Sequence, residues 1–179
     1  MHLLLNGVYL LPQTPLWQSG SLQGELVYQR LDKVTKNAAV YYAEDYACTK
    51  GYAMNPAIKG RNKSDGCATK DSLSLAMGFT PQWSQVFPGL DLSMPTSFSY
   101  GLMGNSPAIG GSFEGAWKYS IGVKATYQNK YDFTLSYADA HFDYKTNSSG
   151  LATTAAGASS SAGVVNNKGW LSLMFKTSF

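Results

Sequence analysis

Asp139, His141 and Asp143 stand two residues apart near the end of one aromatic-rich stretch. An extended chain turns successive side chains to opposite faces, so this spacing puts all three on one face. Imidazole and carboxylate together suit several divalent cations, which makes the trio a candidate metal site. The plainer reading is a solvated strand end, and no metal or cofactor is assigned. Nucleophilic catalysis needs a serine, a histidine and an acid in one place. Serines are spread along the chain and the other histidine is His2. No catalytic residue is assigned, and the chain is not read as an enzyme.

A second set of charges is more regular. Glu25, Asp91, Lys118, Lys124, Asp132 and Lys176 each fall on the polar side of an alternating stretch. In a barrel such residues line the lumen, where mixed charge forms a water-filled passage or a packed plug. The simpler reading is that they pair with one another. Lys33, Lys36, Lys50, Lys59, Arg61, Lys63 and Lys70 make a further basic group, with acids among them. They could meet lipopolysaccharide phosphates, or belong to a solvated loop. Cys48 and Cys67 are an even pair, either a disulfide in an exported protein or two inert thiols. A bridge would close a loop of about twenty residues, worth about 3 kcal/mol in the chain-entropy model.

Composition bounds what can carry these groups. The 179 residues are enough for one domain. Hydrophobic residues make up 44% and aromatics 13%, yet charged residues only 14%, against about 25% in an average soluble domain. No run approaches the roughly 18 apolar residues of a membrane helix. Half-apolar strands account for this profile, although a soluble β-sandwich fits composition alone. The net charge of +3 comes with no basic stripe, which speaks against nucleic acid. The opening Met-His-Leu-Leu-Leu lacks the marks of a secretory signal.

The elements that would position the charges are strands. Alternation with a period of two predicts them at 1–11, 21–31, 71–83, 90–100, 117–128, from Tyr131, and at 168–179. In the last, Leu171, Leu173, Phe175, Thr177 and Phe179 share one face, while Trp170, Ser172, Met174, Lys176 and Ser178 share the other. Pro95 cannot donate to a ladder, which predicts a bulge. Near Ala138 the phase of strand six changes, which predicts another bulge or a strand leaving a membrane. Asn147–Asn167 reads as a flexible loop of low complexity.

The connections sort by length. The turns at Pro12–Gly20, Gln85–Gly89 and Asn129-Lys130 fall at one end. The long loops near 32–70, 101–116 and 144–167 fall at the other. Short periplasmic turns and long extracellular loops are the outer-membrane barrel pattern. Aromatics mark both rims: Trp17, Trp83, Tyr127, Tyr131 and Phe179 below, and Tyr28, Tyr100, Trp117, Tyr119 and Trp170 above. The predicted fold is an all-β antiparallel transmembrane barrel. Bacterial single-chain barrels have even strand numbers of at least eight. Seven strands therefore predict that residues 1–179 are the carboxyl-terminal portion of a larger barrel.

Three stretches carry a family resemblance: 11–18 (Leu-Pro-Gln-Thr-Pro-Leu-Trp-Gln), 85–95 (Gln-Val-Phe-Pro-Gly-Leu-Asp-Leu-Ser-Met-Pro) and 169–179. They resemble a proteobacterial family known as domain of unknown function thirteen-oh-two. The Val-Phe-Pro-Gly-Leu-Asp-Leu-Ser segment is the most specific part. The resemblance implies a large outer-membrane barrel with a signal peptide, longer than this chain, and a strand in which Pro95 is normal. It implies a periplasmic partner protein and work beside inner-membrane exporters of hydrophobic compounds. It offers no catalytic residue. Phe175 and Phe179 read as a barrel-assembly signal for the assembly machinery, although Thr177 departs from the aromatic often found there.

These readings lead to one expectation and two rivals. The expectation is a pore or transport component for small or hydrophobic molecules, in contact with outer-membrane lipid and lipopolysaccharide. The rivals are a structural or surface-interaction barrel without transport, and a soluble all-β binding domain.

Overall fold

The computed structural model describes residues 1–33, 68–106, 111–142, 144–146, 152–155 and 167–178. The alternating stretches become strands, and the described residues contain no helix. In order they are β1 (His2–Leu10), β2 (Ser19–Arg30), β3 (Asp71–Phe87), β4 (Leu90–Ser93), β5 (Thr96–Met103), β6 (Trp117–Tyr127), β7 (Tyr131–His141), β8 (Tyr144–Thr146), β9 (Ala152–Ala155) and β10 (Trp170–Thr177).

Eight of them form one antiparallel sheet, ordered β1-β2-β3, then β4 and β5 end to end, then β6-β7-β10. Because β4 and β5 lie between the same neighbours, β3 and β6, the sheet is crossed seven times. Adjacent crossings are antiparallel, so β1 and β10 run in the same direction. Each is an edge, paired on one side among the described residues.

Register corrects three sequence expectations. No bulge sits at Pro95. Against β6 the partners run Ser93↔Lys124 and then Thr96↔Ile121, with no residue gained or lost. The shifts lie between Trp83 and Phe87 and between Leu73 and Ser74. In the first, Ser84, Gln85 and Val86 face Asp91 alone, with Gln85 at φ 50. Second, strand six does not change phase at Ala138. The β6–β7 ladder runs unbroken from Tyr127↔Tyr131 to Trp117↔His141. Third, part of the 144–167 loop is ordered, since β8 pairs antiparallel with β9 in a separate two-stranded sheet. The β6–β7 turn spans Gln128, Asn129 and Lys130, so it includes the expected pair, and Gln128 and Asn129 have positive φ.

Antiparallel partners point to the same side of a sheet, so register sorts the faces. One row reads Tyr9, Leu22, Phe79, Thr96, Ile121, Tyr137 and Leu171. The parallel row on the other face reads Val8, Gln23, Gly78, Ser97, Ser120, Ala138 and Trp170. The sheet thus has an apolar side and a mainly polar side.

The apolar side is not covered. Leu171 is 70% exposed and Leu173 77% exposed, and Ile121, Val123, Phe133 and Leu135 are also open. Among the described residues the buried hydrophobic ones are Ala116 and Ala140. A sheet of this size in water would turn its apolar face onto a second layer. Here the chain supplies no such layer among the described residues.

Candidate functional site

The six charges singled out in the sequence all stand on the polar side. Glu25, Ala76, Ser99 and Lys118 form one row across four strands. Asp91, Thr126, Asp132 and Lys176 form another toward the turn end. Lys124 is two residues from Thr126 and shares its side. The structure therefore brings these residues onto one surface, in two groups at different heights.

In the lower group Asp91, Lys124 and Asp132 find partners. Lys124 Nζ lies 3.0 Å from Asp132 Oδ2. Thr126 Oγ1 donates to Asp132 Oδ1 at 2.7 Å. Asp91 Oδ1 accepts the Gln85 N–H at 2.8 Å, so this carboxylate holds the β3 bulge. Hydroxyl pairs continue the polar surface, Ser97 with Ser120 at 2.8 Å and Ser136 with Ser172 at 3.1 Å.

Above them, the segment after β5 folds onto the polar side, which alternation did not foretell. Asn105 anchors it and is 2% exposed. Its N–H donates to Thr69 Oγ1 at 2.8 Å, its carbonyl accepts the Thr69 N–H at 2.9 Å, and its Oδ1 accepts the Glu114 N–H at 3.0 Å. Glu114 Oε2 in turn accepts the Gly104 N–H at 2.5 Å. Ser106 Oγ donates to Gln29 Oε1 on β2. Two glycines permit the fold. A Cβ at Gly101 would overlap the carbonyl oxygen of Phe113, and Gly104 has φ +63 with the Asp71 carbonyl against it. Such close backbone approach admits glycine alone. The sequence signal was these glycines, read only as marks of a loop.

The rim trio resolves differently. Asp139 and His141 oppose Tyr119 and Trp117, so both stand on the apolar side. His141 stacks on Trp117 with ring centroids 5.7 Å apart, and its Nδ1 lies 3.0 Å from Asn167 Oδ1. Asp139 Oδ1 accepts the Ala140 N–H at 2.8 Å. Asp143 lies outside the described residues, as do Cys48, Cys67 and Phe179. Among the described residues no three His, Cys, Asp or Glu groups converge on a cation position. His2 opposes Gln29 on the polar side, so the two histidines face opposite ways.

The apolar side carries two aromatic bands. The upper has Tyr28, Tyr100, Trp117 and Tyr119, with Trp117 and Tyr119 stacked at 5.7 Å. The lower has Trp83, Tyr127 and Tyr131, with Phe175 stacked on Tyr131 at 6.3 Å. Indole N–H groups of the lower band reach backbone oxygens, Trp83 to Leu16 at 2.7 Å and Trp17 to Pro12 at 3.1 Å. Trp170, at the same upper end, faces the polar side opposite Ala138, as its alternation with Leu171 predicts. It follows Gly169, one residue off the phase of Leu171 and Leu173.

The model of the family described as "Protein of unknown function (DUF1302)" matches residues 1–179. No curated protein and no solved structure matches the chain.

Proposed function

The chain belongs to the DUF1302 family, and on that footing we propose that it forms part of the wall of an outer-membrane β-barrel that passes small or hydrophobic molecules. One observation carries the reading: an eight-stranded sheet leaves its apolar side open between two aromatic bands, while Glu25, Asp91, Lys118, Lys124, Asp132 and Lys176 gather on the other side. Trp117 and Tyr127 mark the two bands on β6. Ten residue steps along a strand cover about 34 Å, and a tilt of about 45° projects that onto about 24 Å. The apolar band of an outer-membrane barrel is about 25 Å tall. Lipid covers the open leucines and phenylalanines, and the aromatic rings sit at its two boundaries.

In this reading Glu25, Asp91, Lys118, Lys124, Asp132 and Lys176 line the lumen. The edges β1 and β10 run parallel, so closure by antiparallel pairing alone takes an odd number of further strands between them. Each unpaired edge group left in lipid would cost several kcal/mol. Membrane lipid, lipopolysaccharide, the barrel-assembly machinery and a periplasmic protein are the proposed partners.

A structural barrel without transport is the second reading. The inward fold around Asn105 favours it, because it narrows the polar side. Conductance across planar bilayers separates the two. Stepwise currents support a passage, and an electrically silent, fully inserted protein supports the structural barrel. Monodisperse behaviour without detergent would sink both.

A further inference from the structure

The segment that folds inward roofs a cavity of about 250 Å³. Its lining includes Glu25 and Lys118 at the two ends of one row, with Ala76 and Ser99 as the floor between them. Val27, Phe113 and Phe142 add apolar surface. Three strand spacings separate the backbones of Glu25 and Lys118, about 14 Å. At that distance the two side chains do not neutralise each other. Neither makes an ion pair or side-chain hydrogen bond among the described residues. The contrast with Lys124 and Asp132, paired at 3.0 Å on the same side, is plain. One height of this surface pairs Lys124 with Asp132, and the other holds Glu25 and Lys118 apart under a roof.

We propose that this cavity binds a small zwitterion. Its ammonium group meets the Glu25 carboxylate, its anionic group meets the Lys118 ammonium, and its hydrocarbon lies against Val27, Phe113 and Phe142. The volume is just below the usual range for drug-sized ligands, about 300–1,000 Å³, which limits the guest to a compact molecule. A monopolar guest would leave one of the two charges unanswered, so discrimination comes from both ends. The inference rests on the polar side being open to water, but not on conduction.

The test uses the purified full chain in detergent micelles, with calorimetric titration of 6-aminohexanoate, hexanoate and hexylammonium against empty-micelle blanks. The zwitterion is expected to bind at least about tenfold more tightly than either monopolar analogue, the worth of one charge-assisted hydrogen bond. Glu25→Gln should erase its advantage over hexanoate. Lys118→Gln should erase its advantage over hexylammonium. Far-ultraviolet circular dichroism checks that each variant keeps its sheet. Equal affinities for the three probes, or a preference that survives both substitutions, overturns the proposal. Zwitterion preference without bilayer conductance defeats the passage alone, and conductance without the preference defeats this inference alone.

Discussion

Met94 donates its N–H to the carbonyl oxygen of Pro81 at 3.1 Å, and Pro81 has no N–H to return. One strand further on, Gly122 donates to the carbonyl oxygen of Pro95 at 2.9 Å, and Pro95 again returns nothing. Both missing donors fall at the level where β4 gives way to β5. Prolines are normally confined to edges and bulges. Here each keeps the accepting half of its pair, and the ladder holds register on both sides.

Pro95→Val should therefore join β4 to β5 without moving any partner. The new N–H gains a ladder bond, about 1 kcal/mol. The freer unfolded chain offsets about 0.4–1 kcal/mol of that. Net stability should change by less than about 1 kcal/mol. Hydrogen exchange resolved by mass spectrometry should show new protection around residue 95, and a slipped register would appear as lost protection along β4.

Asn105→Ala should loosen the inward segment. It leaves the Glu114 N–H without its acceptor in a site where Asn105 is 2% exposed. An unsatisfied buried group costs about 1–3 kcal/mol. Limited proteolysis should cut within the 104–116 segment faster than in the parent. Gly101→Ala should do the same through overlap with Phe113. An unchanged digestion pattern in both variants would show that the segment is held by other means.

Asp91→Ala should act on the β3 bulge rather than on the charge of the surface. The lost bond to the Gln85 N–H is worth about 0.5–1.5 kcal/mol. Exchange at Gln85 should accelerate while Lys124 and Asp132 keep their 3.0 Å pair. A change confined to the Lys124–Asp132 region would contradict this assignment.

Leu135→Arg and Ser136→Arg place the same charge on adjacent residues but opposite sides of β7. On a lipid-facing side near mid-membrane, arginine costs about 2–4 kcal/mol. On a lumen side it costs little. Denaturant unfolding in lipid vesicles should separate the two variants by that amount, and equal stabilities would argue against lipid on the leucine side.

Most of the sheet could be read from local periodicity. Alternation located β6 and β10 within two residues and the start of β7 at Tyr131, and it put Lys118, Lys124, Asp132 and Lys176 on one side. It failed where the deciding contact is distant. Ser106 finds Gln29 across 77 positions, and Thr69 finds Asn105 across 36. No period of two encodes such bonds, so 101–116 read as a plain loop. Alternation also misled at Asp139 and His141. Polar residues at a strand end imitate a change of phase, whereas His141 stays in step by stacking on Trp117. At Pro95 the lost donor was foreseen, but not that Gly122 would keep the register by its own N–H.

The central claim is that the leucine side faces lipid and the charged side faces water. Spin labels placed singly along β6 and β7, in a Cys48→Ser, Cys67→Ser background, test it in reconstituted membranes. The account predicts that labels at Ile121, Val123, Phe133 and Leu135 collide with oxygen and are shielded from a water-soluble nickel relaxant. Labels at Ser120, Lys124, Thr134 and Ser136 should show the reverse, giving a period of two along both strands. Equal access to the nickel relaxant at all eight positions would contradict it.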